Sequence, residues 1–373
     1  MSLSSITEIL DGHGNSLLNT AAPPVVPRNH HDLSSDQPRA AIDSSVITAA
    51  KAALDDGQTH YVDVPGIPVL RQALADYLSN DCGCRYEQSQ VIVTAGIQES
   101  RFLTLQKIGE AFGHIALPAV VHPGVKQAIG VRPLTVHQLP VDPNTLLPTL
   151  AGIEAGLAAG QKLFYLESPT RLTGKTFSSE ALATLADMVK TAAATVIWDQ
   201  GLSPWAGADY TSLAALPDMS SRVATIGEAF PGTGLESWFL GYIAAPAEWV
   251  GVMTKQKQIM AICTSTASQY AGVAAAQIFA DQRAEQLDRL KQIRQTVVNQ
   301  VQAAQLAVAD GDAASMLALR LAADEKAAVT ARLAEAGYGF ADGTDFGDST
   351  IVRLAITFDD TIVSACKKMT GES

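Results

Sequence analysis

Residues 225 to 242 read Thr225-Ile-Gly-Glu-Ala-Phe-Pro-Gly-Thr-Gly-Leu-Glu-Ser-Trp-Phe-Leu-Gly-Tyr242, two β-rich runs on either side of a glycine-rich turn. These two runs close a series of seven short β-rich segments that alternate with helical stretches. Such alternation predicts an α/β fold with a mostly parallel sheet covered by helices on both faces. The predicted strands are 90–96, 114–119, 134–140, 162–169, 194–200, 222–230 and 238–246.

The character of the chain changes after residue 246. Residues 248–259 and 268–309 are predicted helices, and in the second one apolar residues recur at spacings of three and four. An apolar strand is predicted at 351–357, after a turn-rich stretch. For a chain of 373 residues two domains are expected. We predict a Pro-rich arm at 1–40, a large domain at 41–262 and a smaller α+β domain at 263–373 that includes the long linking helix.

Charge and hydropathy exclude several classes of function. The chain has 26 basic and 38 acidic residues, a net charge of −12. This balance argues against sequence-independent binding of nucleic acid or anionic lipid. No apolar run reaches the roughly 18 to 20 residues that span a bilayer, and the start lacks a basic region and an apolar signal core. We therefore expect a cytoplasmic protein with neither nucleic acid nor membrane among its partners.

Cysteine and histidine spacing gives no metal site. Four scattered cysteines do not form a disulfide framework, and the pair Cys82 and Cys84 lacks further ligands at zinc spacing. Adjacent His30 and His31 point to opposite sides of an extended chain, which favours a solvated loop over a metal site. Reduced, structural thiols and no bound metal are expected.

Two motifs bear on ligand binding. Val91 to Glu99 is a strand that runs through Gly96 into a helix, and the free N–H groups of a helix start can bind a phosphate. The same strand–glycine–helix arrangement also occurs as a plain turn in every α/β fold. Upstream, Tyr61 is followed by Gly66 and Arg71 at a predicted helix start. A turn that leads into this helix would explain these residues without any ligand.

Several separated motifs occur in the order found in class I/II aminotransferases, so the chain resembles the pyridoxal phosphate (PLP)-dependent fold type I group over about residues 50 to 360. The resemblance implies that Gly96, Ile97 and Gln98 bind the PLP phosphate and that Thr225 takes the place of a phosphate-binding serine. It also implies that Tyr61 reaches the cofactor of a neighbouring subunit, hence a homodimer with shared sites.

The resemblance assigns three further residues. His122 falls at the residue that stacks on the pyridine ring, although a loop histidine with no role is the competing interpretation. Asp199, at the end of a predicted strand, falls at the carboxylate that pairs with the ring nitrogen and makes the ring an electron sink. Arg353 matches the strand arginine that binds the substrate α-carboxylate in a bidentate pair. The substrate class implied is an amino acid or its keto acid.

Four positions depart from the family pattern. Glu228 stands where the Schiff-base lysine belongs, and no lysine lies between Lys190 and Lys255. Arg171 replaces an asparagine and Leu202 a tyrosine, the two partners of the cofactor's phenolic oxygen. Phe239 replaces the arginine that neutralises the phosphate. All four changes concern one ligand.

These departures leave several functions open. The first is an aminotransferase-like enzyme in which Asp199 holds the ring and Glu228 acts as a general base, with PLP or pyridoxamine phosphate bound non-covalently. The second is a non-catalytic binding or regulatory protein that keeps the dimeric scaffold. The third is catalysis on another carboxylate ligand with no cofactor. Because function depends on the site, fold resemblance cannot choose among them.

Overall fold

The computed structural model describes residues 31–38, 40–131, 134–207 and 209–371. Most of the predicted N-terminal arm, including His30, lies outside the described residues. In the described part of the chain no helix is long and apolar enough to cross a membrane. The four cysteines are free thiols, as the sequence predicts, and no group of three potential metal ligands occurs among the described residues.

A seven-stranded sheet forms the centre of the molecule, as predicted. From one edge to the other its order is β2-β8-β7-β6-β5-β3-β4. Strand β8 pairs antiparallel with both of its neighbours, and the remaining pairs are parallel. Its strands are β2 (Val91–Ala95), β3 (His114–Pro118), β4 (Thr135–Leu139), β5 (Leu163–Glu167), β6 (Thr195–Asp199), β7 (Val223–Glu228) and β8 (Leu240–Ala244).

Helices cover both faces of this sheet because its strands are apolar on both sides. In β6, Val196 and Trp198 belong to one buried cluster and Ile197 to another, as the alternation of side chains requires. The helices of this part are α1 (Ser44–Asp55), α2 (Pro68–Cys82), α3 (Gly96–Phe112), α4 (Pro123–Val131), α5 (Leu150–Ala158), α6 (Ser179–Thr191) and α7 (Ala247–Met260). Short 3-10 turns lie at Gln88–Gln90, Ser203–Trp205, Leu213–Ala215 and Glu236–Trp238.

The long helix α8 (Thr266–Ala303) joins the two apolar cores. Ala271 and Phe279 in its first half pack with the large sheet, whereas Leu290 and Val297 belong to the C-terminal core. The predicted end at residue 309 is wrong by six residues. Gln305 adopts a left-handed φ of 63°, which stops the helix although the alanine-rich composition continues.

The C-terminal part contains a three-stranded antiparallel sheet in the order β11-β12-β9. A short strand from the N-terminal side of the chain, β1 (His31–Asp32), pairs in parallel with β10. The elements are β9 (Met316–Arg320), α9 (Ala323–Glu335), β10 (Tyr338–Gly339), β11 (Ala341–Asp342), α10 (Gly343–Phe346), β12 (Ile351–Ala355) and α11 (Thr361–Thr370). The predicted strand at 351–357 thus exists and is two residues shorter.

Candidate functional site

Three neighbouring strands of the large sheet each end in a carboxylate. Glu167, Asp199 and Glu228 are the last residues of β5, β6 and β7. Glu167 pairs with Asp199 in the register of the sheet. Ligands of open α/β sheets bind outside the carboxyl ends of their strands. This edge is therefore the candidate site.

Asp199 is fully buried, and both of its oxygens have donors. Oδ2 accepts from Arg101 Nη2 at 2.9 Å and from the Tyr165 hydroxyl at 2.8 Å. Oδ1 accepts from Arg171 Nη2 at 2.7 Å and from the backbone N–H of Gly201 at 3.1 Å. Burial opposes the charged carboxylate, but the two arginines hold the pKa of Asp199 below its ordinary value.

Arg171 connects Asp199 to two further carboxylates. Its guanidinium is fully buried and donates to Asp36 Oδ2 at 3.0 Å and to Glu228 Oε1 at 3.1 Å. The ion pair fits because Gly201 has no side chain. A Cβ at Gly201 would lie 1.9 Å from Glu228 Oε2 and 2.0 Å from Arg171 Nη2. The residue predicted to contact a cofactor oxygen thus forms a bridge between the two predicted catalytic carboxylates.

The other three carboxylates of the cluster differ in the direction of their pKa shifts. Burial raises the pKa of Glu228, and the negative charges of Asp36 and Asp199 add to this while Arg171 opposes it. Burial and the charge of Asp199 raise the pKa of Glu167 to about 7, although it accepts the backbone N–H groups of His122 and Arg171. Burial also acts on Asp36, but the charges of the nearby arginines outweigh it and lower the pKa of Asp36 to about 2.

Arg353 lies at the same edge and already has partners. It is 3% exposed and donates to the backbone oxygens of Arg171 and Ser34. Its guanidinium carbon lies 5.2 Å from the centre of the Phe346 ring. The His122 ring packs edge-on against the same phenyl ring at 5.6 Å, and its Nδ1 accepts from the N–H of Gly124 at 3.0 Å.

A cavity of about 250 Å³ opens beside Glu228. It is lined by the start of α3, with Gly96, Ile97 and Gln98, and by Phe239, which lies next to Gly96. Gly96 has a φ of +75°, and a Cβ there would lie 3.6 Å from the Phe239 ring. The cavity is slightly smaller than the roughly 300–1,000 Å³ common for small-molecule sites.

Two predicted cofactor ligands lie outside this cluster. Thr225 is fully buried, and its hydroxyl is 3.0 Å from the Tyr86 hydroxyl. Side chains three residues apart on a strand point to opposite faces, so Thr225 and Glu228 leave β7 on opposite faces of the sheet. Tyr61 is 79% exposed, beside His60 and Cys263 rather than the strand ends.

Leu202, the residue in the place of a tyrosine, packs in the C-terminal apolar core. Arg101, Tyr165, Glu167 and Asp36 belong to the cluster and were not predicted. A signal existed for Arg101, because an arginine lies between Ile97 and Leu105 on an otherwise apolar helix face. Asp36 lies in an irregular segment in which no periodicity marks a buried side.

The residues present do not fit imine-bound PLP. Glu228 cannot form an imine, and both oxygens of Asp199 already accept hydrogen bonds from charged or polar groups of the chain. Phe239 brings no charge to the start of α3. Lys257, a buried lysine near this helix start, is bound to both oxygens of Glu99 at 3.0 and 2.9 Å. Within the described part of the chain, Asp199 thus has no free oxygen for a ring nitrogen, and the Lys257 amine is engaged by Glu99.

The fold is the one found in solved aminotransferase structures. The family model "Aminotransferase class I and II" matches residues 28–368, and this chain belongs to that family. The aspartate aminotransferase of Pyrococcus horikoshii is 26% identical over 231 residues, which cover 61% of this chain and 58% of that protein. The aspartate/prephenate aminotransferase of Cereibacter sphaeroides is 25% identical over 360 residues, covering 90% and 89%.

Solved structures agree with this fold. The aromatic aminotransferase from Pyrococcus horikoshii superposes with a TM-score of 0.81 at 21% identity, over 92% of this chain and 95% of that one. An aspartate aminotransferase from Thermotoga maritima also gives 0.81, at 19% identity over 98% and 96%. The matched regions span about three fifths of the length of several curated relatives. The predicted family and fold type are confirmed.

Proposed function

We propose that this chain is a non-transaminating member of the aminotransferase family that binds a small amino acid or keto acid without forming a PLP imine. One observation carries the proposal: buried Arg171 bridges Asp199 and Glu228 at 2.7 and 3.1 Å. A bound PLP supplies an electron sink, and that chemistry depends on a carboxylate at the ring nitrogen. In this chain the carboxylate in that place, Asp199, is neutralised by Arg171 of the same chain.

Energetics support this assignment. Asp199 and Arg171 are joined by two hydrogen bonds, at 3.1 and 2.7 Å. Freeing Asp199 for a ring nitrogen would break both of them, and a hydrogen bond to a charged group contributes about 1.5–3 kcal/mol. The replacement of the lysine by an acid and of the asparagine by an arginine is therefore one coupled change. Together Glu228 and Arg171 form an ion pair at the place where the family's lysine would form the imine.

The cavity beside Glu228 suits the polar end of a small carboxylate ligand. The N–H groups at the start of α3, at Gly96 to Gln98, favour an oxygen acceptor of that ligand. Across the cavity, Glu228 as an anion binds an ammonium group, and when protonated it donates a hydrogen bond to a keto oxygen. Its raised pKa brings the protonated form closer to working pH. The small volume restricts the ligand to a few heavy atoms beyond its carboxylate.

The proposal includes a homodimer, as the family resemblance implies. Tyr61 is exposed and lies away from the cluster of its own chain, which supports a role towards a second subunit. Size-exclusion chromatography with light scattering measures the assembly directly, and a monomer would remove this part of the proposal.

A second candidate function is retained catalysis with Glu228 as a general base. Its carboxylate lies on the cavity wall and has a raised pKa, both of which a general base requires. The discriminating measurement is exchange of the α-proton of added amino acids in D₂O. Exchange that is lost in Glu228→Gln would establish this second function. If no α-proton exchange is found, ligand binding without catalysis is the remaining function.

The main test treats the purified protein with PLP, follows visible absorbance and then adds borohydride before peptide mass spectrometry. We expect no imine absorbance and no reduced PLP adduct on any active-site lysine. In parallel, calorimetry with pyruvate, 2-oxoglutarate, L-alanine and L-aspartate should detect binding of at least one. A specific PLP adduct on one lysine would refute the cofactor part, and no binding of any of the four would refute the ligand part.

A further inference from the structure

The segment Leu33 to Gln37 crosses the carboxylate cluster and is held at both ends. At one end the Leu33 N–H donates to the Gly339 oxygen at 3.1 Å, and the Leu33 oxygen accepts from Ala355 at 2.8 Å. At the other end Gln37 donates to the Gly201 oxygen at 3.0 Å and accepts from the Trp205 indole at 2.7 Å. The segment therefore connects the C-terminal sheet with the loop after β6. We call it the covering segment.

The middle of the covering segment provides oxygen atoms to the two arginines that face the site. The Asp36 carboxylate accepts from Arg171 Nη1 at 3.0 Å, and the Ser34 carbonyl accepts from Arg353. Ser35 and Gln37, on either side of Asp36, line the same cavity as Glu228. The covering segment thus places a carboxylate and a carbonyl on the two arginines, while the residues on either side of Asp36 lie on the cavity wall.

These are the oxygen functions that an amino acid or keto acid would bring to the same arginines. The donor positions make the two alternatives exclusive. All five N–H groups of Arg171 already have acceptors, because two donate to Asp199, two to Glu228 and one to Asp36. A ligand carboxylate can therefore bind Arg171 only when one of the chain's own carboxylates leaves.

Asp36 is the carboxylate best placed to leave. Asp199 is fully buried and ends a strand, whereas the Asp36 side chain is 15% exposed and belongs to an irregular segment. We propose that Asp36 is a built-in carboxylate that occupies the arginine subsite and that a ligand carboxylate must displace it. This inference rests on the proposed function for the identity of the ligand. It makes the covering segment an autoinhibitory element of the binding site.

The first test is chemical rescue, which needs no knowledge of the natural ligand. Asp36→Ala removes the carboxylate and leaves space, so sodium acetate should raise the melting temperature of this variant more than sodium chloride at equal ionic strength. Asp36→Asn keeps the shape without the charge and is the matched control, since it leaves no room for acetate. Equal effects of acetate and chloride on Asp36→Ala would overturn the inference.

The second test is competition for the subsite. Calorimetry with 2-oxoglutarate and pyruvate should give a Kd at least tenfold lower for Asp36→Ala than for the unmodified chain. Hydrogen exchange of residues 31–38 should increase when either acid binds the unmodified chain. Binding with a Kd unchanged within twofold would overturn the autoinhibition alone. If neither acid binds either protein, the proposed function fails, and the acetate experiment still decides whether Asp36 fills a carboxylate subsite.

Discussion

Two buried clusters of ion pairs each include a residue of helix α3, Glu99 in one and Arg101 in the other, and the clusters are built differently. Under the start of α3, Lys257 binds Glu99 at 2.9 Å and the Thr264 hydroxyl at 3.2 Å, and both charged side chains are at least nine-tenths buried. At the strand ends, Arg171 binds three carboxylates, two of which are partly exposed, Asp36 at 15% and Glu228 at 19%. The first cluster is sealed, whereas the second opens on a cavity.

This difference separates a structural ion pair from a binding site. In the sealed pair one cation meets one carboxylate, and Glu99 also accepts the backbone N–H of Ala95 at the helix start. The Lys257–Glu99 pair therefore has no unpaired charge that a ligand could bind. In the open cluster Arg171 has more carboxylate partners than one cation needs, so a partner can be exchanged. A surplus of partners next to a cavity indicates binding more strongly than burial or a perturbed pKa alone.

The largest expected effect is on the sealed pair. Lys257→Met leaves the Glu99 carboxylate buried without its cation, and we expect the free energy of unfolding to fall by about 3–5 kcal/mol in urea denaturation. The double variant Lys257→Met with Glu99→Gln should recover more than half of this loss, because no uncompensated charge remains. Carboxylate binding should be unchanged in the double variant. Weaker binding there would place Lys257 in the site and remove the contrast between the clusters.

A smaller loss is expected when the open cluster receives the family's lysine. Glu228→Lys places a second cation beside Arg171, and we expect about 3 kcal/mol of destabilisation. Borohydride should trap no PLP at residue 228 in this variant. Arg171→Asn combined with Glu228→Lys removes the repulsion and should be both more stable and reactive towards PLP. Equal PLP trapping in the single and double variants would show that Arg171 does not close the imine position.

The smallest effect is a dependence of stability on pH through Glu167. Its folded pKa of about 7 exceeds the ordinary value of 4.5, so the folded state binds the proton more tightly than the unfolded state. The resulting stability is complete below pH 4.5 and is lost as the pH rises through 7, on the order of 2 kcal/mol. The free energy of unfolding, measured by urea denaturation at pH 5 and at pH 8, should decrease less between these two pH values in Glu167→Gln than in the unmodified chain. An unchanged decrease would assign the effect to other groups.

Patterns in the sequence predicted the scaffold well. Alternating apolar runs predicted the seven strands, and at the start of α6 the side chain of Ser178, a residue type that favours helix starts, accepts from the N–H of Ala181. Regular alternation and capping are local properties, which is why they can be predicted residue by residue. The end of α8 at Ala303 could not be predicted this way. It depends on the left-handed conformation of Gln305, which alanine-rich neighbours do not signal.

Site residues were predicted unevenly for a similar reason. Glu228, Asp199 and Arg171 follow strands of the sheet, so motif order brought them together, and the structure places them within hydrogen-bonding distance. Thr225 belongs to the same segment as Glu228, yet its hydroxyl contacts the Tyr86 hydroxyl on the other face of the sheet. Asp36 joins the cluster from 135 residues away in the sequence. Such a contact has no local pattern from which it could be inferred.

The sequence by itself determined the family and the mostly parallel sheet, because motif order and residue identity are properties of the chain. Only the tertiary structure decided which groups Glu228 contacts. Arg171 pairs with Glu228 and Asp199, and Asp36 completes the cluster from a distant segment. Pairing of buried charges depends on distances of about 3 Å, and only the folded arrangement fixes those distances.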